Sequence, residues 1–177
     1  MPLLSRLAIS LLTAASLFPP QAAIAETLLG RIVSITDGDT VTVLDPTNQQ
    51  HKIRLMGIDA PEKAQPFGSR SQQNLGALLF GRDVAVEWNK RDRYGRIVGK
   101  IMVAAQGCND PQCPKDVDSG LEQIKIGLAW WYQQYAREQT PTDRASYEQA
   151  EFMAKTQRLG LWADRNSIPP WQWRREK

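Results

Sequence analysis

The strongest constraint on the fold of this sequence is a series of short strand-like segments that is interrupted once by a helix-like segment. Five segments are rich in β-branched and other apolar residues, and turn-forming residues separate them. They cover residues 28–35, 40–45, 52–58, 84–88 and 97–103. A helix-like segment, residues 69–80, follows the third and ends at Gly81. This order predicts a five-stranded Greek-key barrel of the OB-fold type, a fold that often binds oligonucleotides or oligosaccharides.

The second half of the chain predicts two further helices, so the expected fold class is α+β with three α-helices. Apolar residues at helical spacing indicate one helix over residues 119–129. Another begins after Thr140, a good N-cap residue that precedes a proline, and runs to Arg158. Its inward face also carries Glu151, and a carboxylate in that position needs a partner. The apolar members of this face are Tyr147, Ala150 and Ala154.

The length of the chain suits one folded domain, and its first residues are typical of a secretory signal peptide. A chain of 177 residues can bury a single core. Residues 1–25 combine a basic residue, an apolar run and a final Ala-Ile-Ala. An uncleaved membrane anchor is the alternative, but the apolar run is short for a bilayer. We therefore expect an exported protein, secreted or periplasmic, with a domain at residues 26–164 and a tail rich in Trp, Pro and Arg at residues 165–177.

Both cysteines, Cys108 and Cys113, lie in one loop rich in Gly, Pro and Asp. An exported protein meets oxidising conditions, so we expect a disulfide between them, with a pair of free thiols as the alternative. A zinc site would need more ligands than these two residues and the single histidine can supply. Because the closed loop is short, the bond should restrain this loop rather than hold the fold together.

Two aspartates at strand ends form a candidate cation site. Asp39 follows the Asp-Gly turn that opens the second strand, and Asp59 ends the third strand. If these strands pair, the two carboxylates meet, and a hard divalent cation relieves their repulsion. The carbonyl of Ala60, which precedes a proline, could face the same ion. The alternative is an ordinary Asp-Gly turn and a strand-end cap.

Two arginines and a glutamate complete the candidate chemistry. Arg54 lies on the third strand and Arg96 closes a charged turn, and a guanidinium can bind a phosphate through two oxygens. Glu62 could deprotonate a water for attack on phosphorus. The alternative interpretation is that both arginines are surface residues paired with Asp92 and Glu62.

Taken together, these motifs resemble the staphylococcal nuclease (thermonuclease) family over about residues 30–163. The matching stretches are TDGDTV (36–41), RLMGIDAPE (54–62), RDRYGR (91–96), GLAWWYQQY (127–135) and LGLW (159–162). The resemblance implies a staphylococcal-nuclease-like OB-fold barrel with three helices. It also implies hydrolysis of DNA and RNA that depends on Ca2+ and leaves 3′-phosphate ends.

The resemblance assigns a role to each candidate residue. The calcium ligands would be the carboxylates of Asp39 and Asp59 and the carbonyl of Ala60. The catalytic residues would be Arg54, Glu62 and Arg96, with Glu62 as the proposed general base. The substrate-binding residues would be Arg93, Tyr94 and Tyr135.

The expected partners follow from the same resemblance. We expect DNA and RNA as substrates, with a preference for single strands, and a monomer that has no membrane association after signal removal. The net charge of +3 suits an anionic substrate, although many unrelated proteins are as basic. A non-catalytic OB-fold module that binds nucleic acid or protein is the alternative. The presence of all five charged site residues favours the enzyme, because unpaired buried charges are costly without the metal.

Overall fold

The computed structural model describes residues 26–108, 110 and 112–176 of the chain. The predicted signal peptide, residues 1–25, therefore lies outside the described residues. Among the described residues, no helix combines the length and the apolar character needed to cross a membrane.

Five long strands close into a barrel. In chain order, the strands are β1 (Glu26–Ile35), β2 (Thr40–Leu44), β3 (Gln50–Leu55), β4 (Ile58–Asp59), β5 (Asp83–Arg91), β6 (Ile97–Val103), β7 (Val117–Asp118) and β8 (Trp130–Trp131). The long strands have the order β3-β2-β1-β5-β6, and a parallel pairing of β3 with β6 closes the barrel. Alternate residues point inward and build an apolar core, for example Val41, Ile53 and Ile101. The predicted OB-fold barrel is confirmed.

The third predicted strand, residues 52–58, is wrong at its end, because the chain turns after β3. The turn at Met56 and Gly57 has a left-handed conformation at Gly57, with φ of 77°, which glycine adopts without strain. The chain then forms β4, which leaves the barrel and pairs with β8 instead. This break separates Arg54 from Asp59 by a tight turn, and the candidate site depends on it.

The described residues contain four α-helices and two short 3-10 helices, Gln133–Glu138 and Gly160–Ala163. The α-helices are α1 (Gly68–Leu79), α2 (Ser119–Lys125), α3 (Pro141–Thr156) and the short α4 (Pro170–Trp173). The first three confirm the predicted helices, although α2 ends four residues before the predicted residue 129. Gly127 ends it with φ of 68°, in a position where a Cβ atom would lie 2.3 Å from the carbonyl oxygen of Leu159. Helix α4 was not predicted.

Helix α3 begins and packs as its sequence indicates. The Thr140 hydroxyl accepts a hydrogen bond of 3.0 Å from the backbone N–H of Asp143. Glu151 is buried, and its carboxylate accepts a hydrogen bond of 3.0 Å from the backbone N–H of Trp131 and pairs with Lys155 at 2.8 Å. The partner that this carboxylate was predicted to need is thus the backbone of β8. Helix α3 therefore supports β8, the strand that pairs with β4.

The loop after β6 carries the predicted disulfide. Cys108 and Cys113 are bonded, with their Cα atoms 6.1 Å apart. The bond closes a short loop in which Cys108 is exposed and Cys113 is buried.

Replacing Glu151 by Ala tests this support of β8. The substitution leaves the buried N–H of Trp131 without its acceptor, so we expect the free energy of unfolding to fall by about 1–3 kcal/mol. Urea denaturation measures this difference. Glu148→Ala on the exposed face of α3 is the matched control and should change stability by less than about 0.5 kcal/mol. Equal effects of the two substitutions would contradict the role given to Glu151.

Candidate active site

Asp39 and Asp59 meet at one end of the barrel, although 20 residues separate them in sequence. Asp39 follows the turn between β1 and β2, and Asp59 ends β4. The Asp39 side chain accepts a hydrogen bond of 2.7 Å from the backbone N–H of Ala60 and one of 3.0 Å from the Thr40 hydroxyl. Asp39 is 5% exposed and Asp59 is 1% exposed. The fold therefore brings two carboxylates together and removes both from water.

The guanidinium of Arg54 bridges the two carboxylates. Its Nη1 lies 3.0 Å from Oδ2 of Asp39, and its Nη2 lies 2.8 Å from Oδ1 of Asp59. The same Nη1 also donates to the carbonyl oxygens of Leu55 and Ile58 across the turn after β3. Because β3 ends at this turn, Arg54 can reach back over the chain that carries Asp59.

The single positive charge of Arg54 does not balance the negative charges of both Asp39 and Asp59. Burial, helped by the negative charges of Asp37 and Asp59 and opposed by the positive charge of Arg54, raises the pKa of Asp39 to about 7. A second positive charge at this position would favour the ionised form of Asp39. The site is thus electrostatically suited to bind a cation.

A close approach of the backbone holds the turn that carries Asp39. The buried side chain of Gln123 donates to the carbonyl oxygen of Gly38 at 2.9 Å and to that of Ser71 at 3.0 Å. A Cβ atom on Gly38 would lie 1.9 Å from Oγ of Ser71 and 2.7 Å from Cβ of Ala60. Helices α1 and α2 therefore fix the position of Asp39 relative to Ala60, and neither Gln123 nor Ser71 was predicted as a site residue.

Glu62 lies beside the pair, in the loop between β4 and α1. Its side chain is 39% exposed, and its Oε1 accepts a hydrogen bond of 2.8 Å from Arg174. Arg174 follows α4 and also donates to both carboxylate oxygens of Asp59, at 2.8 and 3.2 Å. Burial acts to lower the pKa of Arg174, but hydrogen bonds to Asp59 and Glu62 outweigh it and raise the pKa above its usual value.

We call Asp39, Arg54, Asp59, Glu62 and Arg174 the acid–arginine cluster. Sequence reasoning missed Arg174, since the Pro- and Trp-rich stretch before it indicates an ordered tail but does not identify its contacts. The other four members were predicted as site residues, and the structure brings them together.

Arg96 does not join this cluster. It immediately precedes β6, whose first residue, the buried Ile97, pairs with Ile53 of β3, the neighbour of Arg54. Its guanidinium lies 2.7 Å from Asp92 and over the ring of Tyr94. In this structure Arg96 therefore makes the ion pair with Asp92 that the alternative interpretation of the sequence predicted.

The three predicted substrate-binding residues lie on exposed surface. Tyr94 is 68% exposed, with the Arg93 guanidinium 4.9 Å from its ring centroid. Tyr135 is exposed and contacts the ring of Tyr132 edge to face, with centroids 5.0 Å apart. These rings are accessible for stacking on nucleotide bases.

The cluster contains oxygen atoms of the kind that hard cations prefer, although Arg54 and Arg174 donate to the carboxylate oxygens of Asp59. Within the described part of the chain, no group of three or more His, Cys, Asp or Glu side chains could hold a metal ion. The pair of Asp39 and Asp59 is below that number, so the carbonyl of Ala60 and water would have to complete the ligand set. Such all-oxygen sets suit calcium.

The fold and the site together define a class of protein: a small OB-fold barrel that carries buried acids and arginines at one end. A family model described as staphylococcal nuclease homologue matches residues 52–164. The chain therefore belongs to the staphylococcal nuclease family, as its motifs predicted. The C-terminal segment with Arg174 lies beyond the matched residues.

Curated relatives agree with this assignment. The chain is 41% identical over 146 residues to the micrococcal nuclease of Shigella flexneri. This alignment covers 82% of this chain and 80% of that protein. It is 40% identical over 149 residues to Protein ParB of Escherichia coli, with coverage of 84% and 80%. It is 39% identical over 147 residues to an uncharacterized endonuclease of Haemophilus influenzae, with coverage of 83% and 73%.

Replacing Gly38 by Ala tests the close approach that positions Asp39. The added Cβ atom has no space, so we expect the free energy of unfolding to fall by about 1–3 kcal/mol. Gly76→Ala is the matched control, because a Cβ atom there meets only one side-chain atom, at 3.8 Å, and lies within α1. The control should stabilise the protein by up to about 1 kcal/mol. Urea denaturation of both variants measures the difference, and a Gly38→Ala protein as stable as the control would contradict the proposed crowding.

Proposed function

We propose that this protein is a calcium-dependent endonuclease that hydrolyses phosphodiester bonds of DNA and RNA and leaves 3′-phosphate ends. Membership of the staphylococcal nuclease family supports a nuclease, and so do relatives named micrococcal nuclease and endonuclease. The observation that carries the finer proposal is the acid–arginine cluster, in which two buried aspartates, two arginines and a partly exposed glutamate converge.

Calcium would be held by the carboxylates of Asp39 and Asp59 and the carbonyl of Ala60. When bound, it would stabilise negative charge on the phosphate oxygens of the substrate. The fit rests on geometry, since two buried carboxylates lie together at one end of the barrel and Asp39 accepts from the backbone N–H of Ala60.

Glu62 is the general base in this proposal. Its side chain is 39% exposed, so a water can reach its carboxylate, whereas the side chain of Asp59 is 1% exposed. The water oxygen forms a bond to phosphorus while its proton passes to Glu62, and the bond between phosphorus and the 5′-oxygen breaks. The products are a 3′-phosphate and a 5′-hydroxyl, and solvent water supplies the proton of the departing 5′-oxygen.

The arginines bind the phosphate. Arg54 belongs to the cluster. Its guanidinium, which contacts Asp39 and Asp59, would also donate to phosphate oxygens of the substrate. To reach the substrate, the Arg96 side chain would have to leave Asp92. The cost is the loss of one partly exposed ion pair, which contributes little to stability. Arg93, Tyr94 and Tyr135 would contact the flanking nucleotides.

We propose an exported monomer, secreted or periplasmic, without membrane association after signal removal. Exposed aromatic rings at Tyr94 and Tyr135 suit unpaired bases, which supports a preference for single-stranded substrates.

Glu62→Gln tests the general base. Gln keeps the size of the side chain and can still accept a hydrogen bond from Arg174, but it cannot take a proton. We expect kcat on single-stranded DNA to fall by about 10²–10⁴-fold with an unchanged urea midpoint. Glu122→Gln on the surface of α2 is the control and should retain normal turnover. Near-normal kcat in Glu62→Gln would remove Glu62 from its role.

Asp39→Asn tests the cation site without a catalytic readout. Loss of the carboxylate charge should weaken calcium binding by at least about tenfold, measured by titration calorimetry on the metal-free protein. Asp83→Asn, which changes a surface carboxylate paired with Arg31, is the control and should bind calcium normally. An unchanged calcium affinity in Asp39→Asn would exclude Asp39 as a ligand.

A further inference from the structure

The C-terminal segment, residues 165–176, reaches the candidate active site through one guanidinium. Arg174 donates to Glu62 and to both carboxylate oxygens of Asp59, so its planar fork spans the two acids. Its side chain is 43% exposed, which places it at the open side of the cluster. Arg174 is the ion-pair partner of Glu62 among the described residues.

Glu62 lacks the support of regular secondary structure. Residues 60–67 form a loop between β4 and α1, and an exposed glutamate in a loop samples several rotamers. Within this loop, Gln65 is 6% exposed and accepts a hydrogen bond of 3.1 Å from the backbone N–H of Glu62. The side-chain N–H of Gln65 donates to the carbonyl oxygen of Ile168 at 2.6 Å, so Gln65 connects the loop to the C-terminal segment.

The C-terminal segment is itself anchored by aromatic packing. The Trp171 ring stacks on Tyr132 with centroids 5.3 Å apart and contacts Trp130 edge to face at 5.7 Å. Pro170 is buried, and the Ser167 hydroxyl donates to the carbonyl oxygen of Leu161. Since Trp130 belongs to β8, which pairs with β4, the segment rests on the same unit that carries Asp59.

We propose that Arg174 is a positioning residue for Glu62, and that the C-terminal segment is a structural part of the active site. The segment holds the Glu62 loop at two points, through Arg174 at the carboxylate and through Gln65 at the backbone. This preorganisation selects one orientation of the carboxylate toward the attacking water, and misplacement of a catalytic group by 1 Å can cost about 10²-fold in rate. The proposal rests on the function proposed above, in which Glu62 acts on that water.

The chemistry of the fork distinguishes arginine from other cations at this position. A guanidinium can donate to Glu62 and Asp59 at the same time, whereas the ammonium of a lysine presents a single compact charge. Lys at position 174 should therefore supply the charge but only part of the orientation. An autoinhibitory role, in which Arg174 withholds Asp59 from calcium, is the competing account.

The first test is kinetic and compares Arg174→Gln, Arg174→Lys and the neighbouring control Arg175→Gln on single-stranded DNA at saturating calcium. Calorimetry on each variant establishes the calcium concentration that saturates it. We expect kcat to fall by about 10- to 100-fold in Arg174→Gln, with KM changed less than about threefold. Arg174→Lys should recover part of this loss, and Arg175→Gln should match the original protein.

A double-mutant cycle tests whether Arg174 acts through Glu62. In a Glu62→Gln background, Arg174→Gln should cause no further loss of kcat, because the group that it positions is already inactive. An additional loss of full size in that background would overturn the positioning role.

The second test needs no metal and no substrate. Hydrogen exchange of the peptide that covers residues 60–68, measured in chelator, should become at least about threefold faster in Arg174→Gln than in Arg175→Gln. Gln65→Ala should have the same effect, because it removes the acceptor of the Glu62 N–H without a change in any charge.

The proposal requires both results. Unchanged exchange in Arg174→Gln would overturn it, and so would normal kcat, a rise in KM alone, or tighter calcium binding with normal kcat. These outcomes are separable from a failure of the proposed function. An inactive Glu62→Gln with a fully active Arg174→Gln would contradict this inference alone, whereas an active Glu62→Gln would contradict the general-base assignment itself.

Discussion

The guanidinium of Arg54 holds together two buried carboxylates that would otherwise repel each other, and the arrangement of the candidate site depends on this contact. A buried carboxylate without a partner is costly, so Asp39 and Asp59 can share this interior position only beside a positive charge. Arg54 also donates to the carbonyl oxygens of Leu55 and Ile58, which links the charge to the turn after β3. The turn after β3 thus brings Asp59 back within reach of Arg54, and Arg54 in turn holds that turn.

Elements outside the barrel fix the geometry of this contact. Gln123 of α2 holds the carbonyl oxygen of Gly38, and β8 pairs with the strand that carries Asp59. Glu151 of α3 in turn accepts from the backbone of β8. The position of Asp39 thus depends on α2 and that of Asp59 on β8, which is why elements outside the barrel matter to this site.

Local patterns were sufficient to predict most of the fold and part of the site. Alternation and turn residues located the five long strands, and the Thr140 cap located the start of α3, because these signals act over a few residues. The Asp-Gly turn and the strand end pointed to Asp39 and Asp59 for the same reason. The need of Glu151 for a partner also followed from its place on an apolar face, although its actual partner, the N–H of Trp131, did not.

Contacts between distant parts of the chain were not predictable in this way. Arg174 meets Asp59 across 115 residues, and nothing in the stretch around Arg174 identifies that carboxylate. The turn at Gly57 replaced a continuous strand because pairing with β8 was favoured, which is a tertiary effect. Arg96 likewise pairs with Asp92 within its own turn, and the sequence alone did not decide between this partner and a phosphate.

The central claim is that this cluster hydrolyses phosphodiester bonds with the help of calcium. Incubation of the purified protein with single-stranded DNA, in calcium or in chelator, followed by mapping of the end groups, tests it most directly. The account predicts fragments with 3′-phosphate and 5′-hydroxyl ends in calcium and an intact strand in chelator. DNA that is bound but uncut in calcium, or cut equally well in chelator, would contradict it.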